Sequence, residues 1–356
     1  MPRLARTLVR AQSLGVRVPA GAPGRRGGAG PSEGVTLLVS GRALCVPAFS
    51  GYVAQSPLSL EDLEGETWLC DAGKPVARAE VSCGGRFETR TTGTGERLSR
   101  HALLHGTDCL ATTVFQTCVH WPRGSQCAFC GIRASLDAGT AVEQKSPPVL
   151  ARAAALARDL DGATHAVLTT GGFGRDVRKL AILCACVEAV AGEGLAVHVQ
   201  VEPPEDPGVL EMLASSGART IGLHLESPDP DVLSRVAPAK AAMGKEAFLR
   251  AWRRAVDRFG ENQVSTFYLA GLGETPDALL DGVRMAADLG VFPLVVPFRP
   301  VPGNQMAHSR PPSPEVLEDL YPKAGEILSR AGLHSQRSLA GCVRCGACSG
   351  YGWYEP

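Results

Sequence analysis

The chain carries no net charge: Lys plus Arg and Asp plus Glu each total 36 in 356 residues. No global field favours nucleic acid or an anionic membrane, so the expected partners are small molecules or proteins. No apolar run approaches the ~18 residues of a membrane span, and the Arg-bearing start lacks the apolar core of a secretory signal. These absences predict a soluble, cytoplasmic protein. No short internal repeat is present, which argues against a solenoid. With 44% hydrophobic residues the chain can bury one large core, and a second large domain is not required.

Cysteine is plentiful. Twelve would be an odd load for a reducing cytosol unless several bind metal, and a secreted chain of this length would not need so many disulfides. Two groups are tight: Cys118, Cys127 and Cys130, and Cys342, Cys345 and Cys348. Metal ligation explains such groups. Burial explains most of the scattered Cys45, Cys70, Cys83, Cys109, Cys184 and Cys186, and the last two, inside an apolar helical run, read as inert core.

Residues 1–31 hold six arginines, no acidic residue and a Gly/Pro-rich run, and so read as a mobile tail. Within it, Gly24-Arg25-Arg26-Gly27-Gly28 could wrap an anion with backbone N–H and guanidinium donors, or could be a plain disordered leader. Residues 32–105 carry β-like patterns and predict a small β-rich lobe. From residue 106 to 335 an apolar strand, a turn and an amphipathic helix recur about six times. The predicted strands are 110–116, 166–169, 196–201, 220–225, 264–270 and 292–297, and the predicted helices 148–160, 175–191, 207–215, 245–259, 276–289 and 313–331. The resulting fold class is α/β, an open, partial TIM-like (β/α)6 barrel. Residues 336–356 form a cysteine-rich tail, expected with the lobe to close the barrel mouth.

The residues that stand out chemically follow predicted strand ends, the face on which parallel barrels place active sites. After the first strand comes Cys118-Val119-His120-Trp121-Pro122-Arg123-Gly124-Ser125-Gln126-Cys127-Ala128-Phe129-Cys130, a loop able to fold three thiolates around one centre. A [4Fe-4S] cluster normally takes four thiolates, so three leave one iron open to an external ligand. S-adenosylmethionine can fill that position through its amino and carboxylate groups. An electron from the cluster would then break the sulfonium C–S bond to give a 5'-deoxyadenosyl radical. Cys127 and Cys130 alone would suggest a zinc pair or a dithiol, but a zinc ribbon expects its second pair within ~15–20 residues.

Further landmarks follow in order. They are Thr169-Thr170-Gly171-Gly172 after the second strand, His224-Leu225-Glu226-Ser227-Pro228 after the fourth, Gly271-Leu272-Gly273-Glu274-Thr275 after the fifth, and Pro297-Phe298-Arg299-Pro300-Val301-Pro302-Gly303 after the sixth. With the cysteine loop they resemble the radical S-adenosylmethionine (SAM) superfamily, in its biotin-synthase-like branch, over residues 110–306. The resemblance implies an enzyme with a [4Fe-4S] cluster on Cys118, Cys127 and Cys130. It implies that Gly171 and Gly172 meet the methionine amino group, that Glu226 and His224 hold the ribose, and that Gly271 and Glu274 lie beside the adenine. Ungapped counting places Arg250 at the methionine carboxylate and Phe129 near the adenine. Glu202, ending the third strand, either touches cofactor or substrate or is a solvated carboxylate. His120 and Trp121 could line the cluster loop, with packing an equal role for Trp121. Such an enzyme implies a flavodoxin- or ferredoxin-type electron donor.

This chain departs from the usual spacing, with eight residues and then two between its cysteines. Biotin synthase has cysteines for a second cluster where this chain has Leu168 or Thr169, His198 and Ser265, which argues against biotin synthesis. The pattern resembles most a radical SAM family found beside nitrilases in bacterial gene clusters linked to cyanide or nitrile nitrogen metabolism, including the run Gly24 to Pro31 and the end Cys342-Val343-Arg344-Cys345-Gly346-Ala347-Cys348. The C-terminal triplet is either three thiolates of an auxiliary iron–sulfur cluster or part of a zinc knot, and either needs another ligand, from Cys83, Cys109 or substrate. The rival class is a zinc-stabilised barrel that binds a ligand or partner without radical chemistry.

Overall fold

A computed structural model describes residues 3–26 and 32–354. Helix α1 (Arg3–Leu14) opens the chain, and β1 (Gly34–Val39), β2 (Arg42–Pro47), β3 (Leu58–Leu63), β4 (Glu66–Asp71), β5 (Lys74–Arg78) and β6 (Glu80–Val81) follow. They make two antiparallel three-stranded sheets, ordered β2-β1-β6 and β3-β4-β5. The lobe has its own core, with Leu8, Val16, Leu37, Leu44, Leu58 and Leu69 fully buried.

The mobile tail expected over residues 1–31 needs correction for the residues described. Leu8, Val9 and Ala11 of α1 are fully buried, Val16 N–H donates to Pro47 O at 2.8 Å, and Arg17 bridges Ser59. An apolar helical stripe is compatible with several arginines because only one face needs to be dry. Arg25 exchanges two backbone hydrogen bonds with Gly34, and the Arg26 guanidinium lies 4.0 Å from the Phe49 ring centre. Gly27 to Pro31, the rest of the glycine-rich run, lie outside the described residues.

The main sheet is built from β7 (Leu103–His105), β8 (Cys109–Phe115), β9 (His165–Thr170), β10 (Ala196–Gln200), β11 (Ala218–Gly222), β12 (Val264–Ala270) and β13 (Val291–Pro297). Its order, β13-β12-β11-β10-β9-β8-β7, follows the chain. The last six strands in sequence are parallel, as the pattern predicts, and form an open half-barrel. The seventh, β7, is an antiparallel addition that the sequence reading assigned to the lobe. Three residues are too few to show an alternating pattern.

Between strands lie α2 (Ala134–Asp137), α3 (Pro147–Asp161), α4 (Val177–Gly192), α5 (Gly208–Ser215), α6 (Pro230–Val236), α7 (Pro238–Met243), α8 (Lys245–Phe259), α9 (Pro276–Ala287) and α10 (Pro314–Arg330). Caps mark their starts: the Asp176 and Asp229 carboxylates each accept two backbone N–H bonds at α4 and α6, and Thr275 Oγ1 accepts one at α9. β13 is buried at every position, as a strand covered on both faces should be. Among the described residues no helix is long and apolar enough to cross a membrane.

The tail, which includes the single turn α11 (Cys342–Cys345), does not close the mouth. It crosses the concave face nearer the strand starts: Gly341 N–H donates to His165 Nδ1 at 3.2 Å, and Thr220 Oγ1 donates to Ala340 O at 3.3 Å. Gly341 is required there, because an added Cβ would come 2.5 Å from the His198 ring at a φ of 93°.

The packing of α1 yields a direct test. Leu8→Ala should lower the unfolding free energy by about 2–5 kcal/mol, whereas Met212→Ala, at an exposed position, should change it by less than about 0.5 kcal/mol. Denaturant titration measures both, and equal effects would contradict a docked first helix.

Candidate active site

The half-barrel, the segment leading into it and Arg25 line an open cavity of about 930 Å³, within the range of small-molecule sites. Cys118, Cys127 and Cys130 all line it. Their loop is clamped on several sides. Val119 N–H donates to Gly172 O at 2.8 Å, Ala128 N–H to Val236 O at 2.7 Å, and Gln305 N–H to Ala128 O at 2.9 Å. Asn304 Nδ2 donates to Phe129 O at 3.0 Å, which places Asn304 and Gln305, just after the proline-rich turn, under the cysteine loop.

Gly171 and Gly172 sit where these contacts are tightest. An added Cβ at Gly171 would overlap the Thr117 carbonyl, and one at Gly172 would lie 2.5 Å from Glu202 Oε2. Both glycines line the cavity, as does Glu202, whose Oε1 is 2.8 Å from His120 Nε2. His120, Trp121 and Phe129 line it as well.

Glu226 adopts a φ of 74°, uncommon for a residue with a side chain, and is held there by an N–H bond to Phe267 O at 2.9 Å and acceptance from Leu269 N–H at 2.8 Å. Its Oε1 lies 2.6 Å from Lys240 Nζ, which also donates to His224 O at 2.7 Å. Burial works against the Lys240 ammonium, but the Glu226 and Glu202 carboxylates hold its pKa above the ordinary value. His224 stacks on Phe267 at 4.1 Å, and its Nδ1 accepts the Phe267 N–H at 3.2 Å. Burial, then Lys240 and His198, keep this imidazole neutral, so the proton sits on Nε2, a buried donor without a protein partner.

Three expectations need correction. Arg250 is exposed on α8, whose buried face is Phe248, Ala251, Trp252 and Ala255, and it is absent from the cavity wall. Helical period decides this, because residue 250 falls between the buried rows. Gly271 and Glu274 also stand off the wall. They form a turn closed on itself, with Glu274 accepting from Gly271 N–H at 2.7 Å and Leu272 N–H at 3.1 Å. Gly271, at a φ of 102°, is needed because a Cβ would meet Pro312 at 2.9 Å.

Of the C-terminal triplet, Cys342 and Cys348 line the cavity, and Cys345 lies behind, against Gly106. Cys83 is exposed, its thiol near Val81 O at 3.9 Å. The sequence reading missed Lys240, Gln200, Lys145 and His105, all on the cavity wall. Lys240 alone left a usable signal, a lysine fourteen residues after the Glu226 motif. Lys145 is buried, donating to Gln116 Oε1 at 3.2 Å and Val142 O at 2.7 Å, and burial, then Arg100 and Arg25, lower its pKa to about 8.

The donor set fits an iron–sulfur cluster. Three half-buried thiols face one cavity, and burial, ahead of all other influences, raises each thiol's pKa, that of Cys127 to about 12. Such thiols stay protonated until a metal displaces the proton. Beside them, the orphan His224 Nε2 offers a donor to a further ligand.

Residues 123–286 match the Radical SAM superfamily, and the chain carries a radical SAM domain. Over 135 residues it is 30% identical to the bacteriochlorophyllide c C-7(1)-hydroxylase of Chlorobaculum limnaeum, covering 37% of this chain. The match spans 33% of that relative's length, about a third. Similar solved structures include a radical SAM methyltransferase from Sphaerobacter thermophilus, with 16% identity, TM-score 0.48 and coverage of 83% of this chain and 81% of that one. Another is the FeFe-hydrogenase maturase HydG from Carboxydothermus hydrogenoformans, with 20% identity, TM-score 0.45 and coverage of 62% and 50%.

His198 gives a pH prediction. Burial, then His165, depresses its pKa to about 3, so between roughly pH 6.5 and 3 the unfolded chain holds a proton that the folded one lacks. Its contribution is complete above about pH 6.5 and declines by up to about 1.4 kcal/mol per pH unit below it. Unfolding free energies from pH 7 to 5 should fall less steeply in His198→Asn than in the parent protein.

Proposed function

We propose that this protein is a radical SAM enzyme that reductively cleaves S-adenosylmethionine and removes hydrogen from a small organic substrate. One observation carries this reading: Cys118, Cys127 and Cys130 open onto the same cavity as Gly172, Glu202, His224 and Glu226. A [4Fe-4S] cluster on the three thiolates would supply the electron that breaks the sulfonium C–S bond, giving a 5'-deoxyadenosyl radical.

The protein's own residues bind, orient and shield. Glu226 offers carboxylate oxygens to ribose hydroxyls, fixed in place by its unusual backbone and by Lys240. His224 presents a neutral N–H donor that does not titrate near neutrality. The backbone at Gly171 and Gly172 and the Glu202 carboxylate suit the methionine amino group, which is cationic. Phe129 supplies an apolar edge for the adenine. The rest of the cavity, toward Gln200 and Phe267, is room for substrate, bordered by Arg25 and His105 on the lobe side and by Cys342 and Cys348 of the tail. A flavodoxin- or ferredoxin-type protein would deliver the electron. Likeness to the nitrilase-associated family, carried by the run Gly24 to Pro31 and the cysteine-rich end, points to a substrate in nitrile- or cyanide-linked nitrogen metabolism.

Anaerobic reconstitution with iron, sulfide, reductant and S-adenosylmethionine should yield 5'-deoxyadenosine, detected by mass spectrometry, from the parent protein and none from Cys127→Ala. Equal product from both, or a colourless protein that takes up only zinc, would remove the mechanism. In the reconstituted protein Glu226→Gln should raise the Kd for S-adenosylmethionine about tenfold, ~1.4 kcal/mol. Arg250→Ala should leave it within about twofold, because that side chain is exposed. Equilibrium dialysis reads both, and the reverse ranking would restore Arg250 to the site.

A further inference from the structure

Cys45 is a scattered cysteine in sequence, yet the fold carries it from the lobe strand β2 to the C-terminal tail. Its backbone N–H donates to Ala347 O at 2.7 Å. The ligand atoms of Cys45, His105 and Cys348 all lie within 4.8 Å of one another, with Cys348 Sγ 3.3 Å and Cys45 Sγ 4.0 Å from His105 Nε2. Cys345 packs so closely on Gly106 that an added Cβ there would sit 2.7 Å from its sulfur. Cys342 receives a hydrogen bond from Gln200 Nε2 at 3.4 Å.

The run Cys342-x2-Cys345-x2-Cys348 has the spacing by which a chain supplies three corners of a cubane, and such a run takes its fourth thiolate from elsewhere. A single tetrahedral ion needs four ligands, whereas five thiols and an imidazole gather here once buried Cys109 is counted. A second feature points to an anionic occupant. Arg299 donates through Nη2 to Cys45 O, while its Nη1 is buried without a partner, and Arg25 lines the same cavity with no salt bridge among the described residues. Half-buried guanidiniums with no carboxylate partner are costly, and a cubane with four thiolates is an anion that would offset them.

We propose that Cys45 is the fourth ligand of a second [4Fe-4S] cluster held by Cys342, Cys345 and Cys348. His105 turns an N–H toward the ligating sulfurs, and Arg25 and Arg299 balance the charge. The ligand set is closed, so no iron is left for substrate, which excludes substrate anchoring at this centre. Cys83 is too exposed to belong to it.

The test uses the full chain carrying Cys118→Ala, Cys127→Ala and Cys130→Ala, so that failure of the radical mechanism cannot mimic failure here. After anaerobic reconstitution this protein should hold about four iron and four sulfide and give an electron paramagnetic resonance signal on reduction. Adding Cys45→Ala should leave the fourth iron without a protein ligand, so that the protein either drops to about three iron or gives a signal that shifts when a small thiol or imidazole is added, whereas adding Cys83→Ala should change neither. Differential alkylation without the Cys45 substitution should find Cys45 protected until iron is chelated, which keeps the proposal testable if Cys45→Ala misfolds. Full iron with an unchanged resonance signal, insensitive to added thiol or imidazole, in a folded Cys45→Ala protein, an alkylation-sensitive Cys45 in the loaded protein, or one zinc in place of iron would each overturn it.

Discussion

The candidate site depends on one close approach, the Thr117 carbonyl against the α-carbon of Gly171. Any side chain at residue 171 would push the Cys118 loop off the exit of β9, and the Val119-to-Gly172 hydrogen bond would go with it. Gly172 repeats the logic one residue later, letting the Glu202 carboxylate press against bare backbone. A parallel sheet delivers β8, β9 and β10 side by side, so their three exits are neighbours before any specific contact forms. The two glycines turn that neighbourhood into contact.

Charge is the second constraint. The cavity holds Glu202, Glu226 and Lys240 around thiols that burial keeps protonated. Glu226 and Lys240 are each only 11% exposed, so they act as a unit. Losing one partner of such a pair costs about 3–5 kcal/mol, largely because the other charge is stranded. The left-handed backbone at Glu226 adds strain of about 1–3 kcal/mol, tolerable because the pairing with β12 fixes it from both sides. Strain and buried charge concentrated on one carboxylate are what a residue selected for binding rather than stability would show.

Much of the fold was legible because parallel βα units write themselves twice, as a buried apolar strand and as an amphipathic helix. The strand expected at 264–270 coincides with β12, and the helix expected at 245–259 with α8. The cysteine loop and Gly171-Gly172 were legible because their chemistry is local to a few residues. Arg250 and Glu274 were misplaced for a common reason: a motif match fixes residue order, while helical phase and turn closure fix direction. Lys240 was missed because α6 and α7, the short helices around it, carry too few turns for a clear period. Cys45 was invisible as anything but core, since Ala347 and Cys348, which it meets in space, are some 300 positions away.

That distance joins the two ends of the chain to the site. The half-barrel is open between β7 and β13, and a concave apolar face with two free edges cannot stand alone in water. The tail covers part of that face through Gly341 and Ser349, whose hydroxyl donates to Val295 O at 2.6 Å, while Arg299, just beyond β13, reaches back to Cys45 in the lobe. Lobe and tail are thus walls of the cavity rather than appendages to a barrel. Because residue 45 can meet residue 348 only after the whole sheet is laid down, this corner pays its loop-closure entropy late. Thiols brought together at that stage can bind metal only in a nearly complete fold, so metal bound there would stabilise the closed cavity over its opened forms.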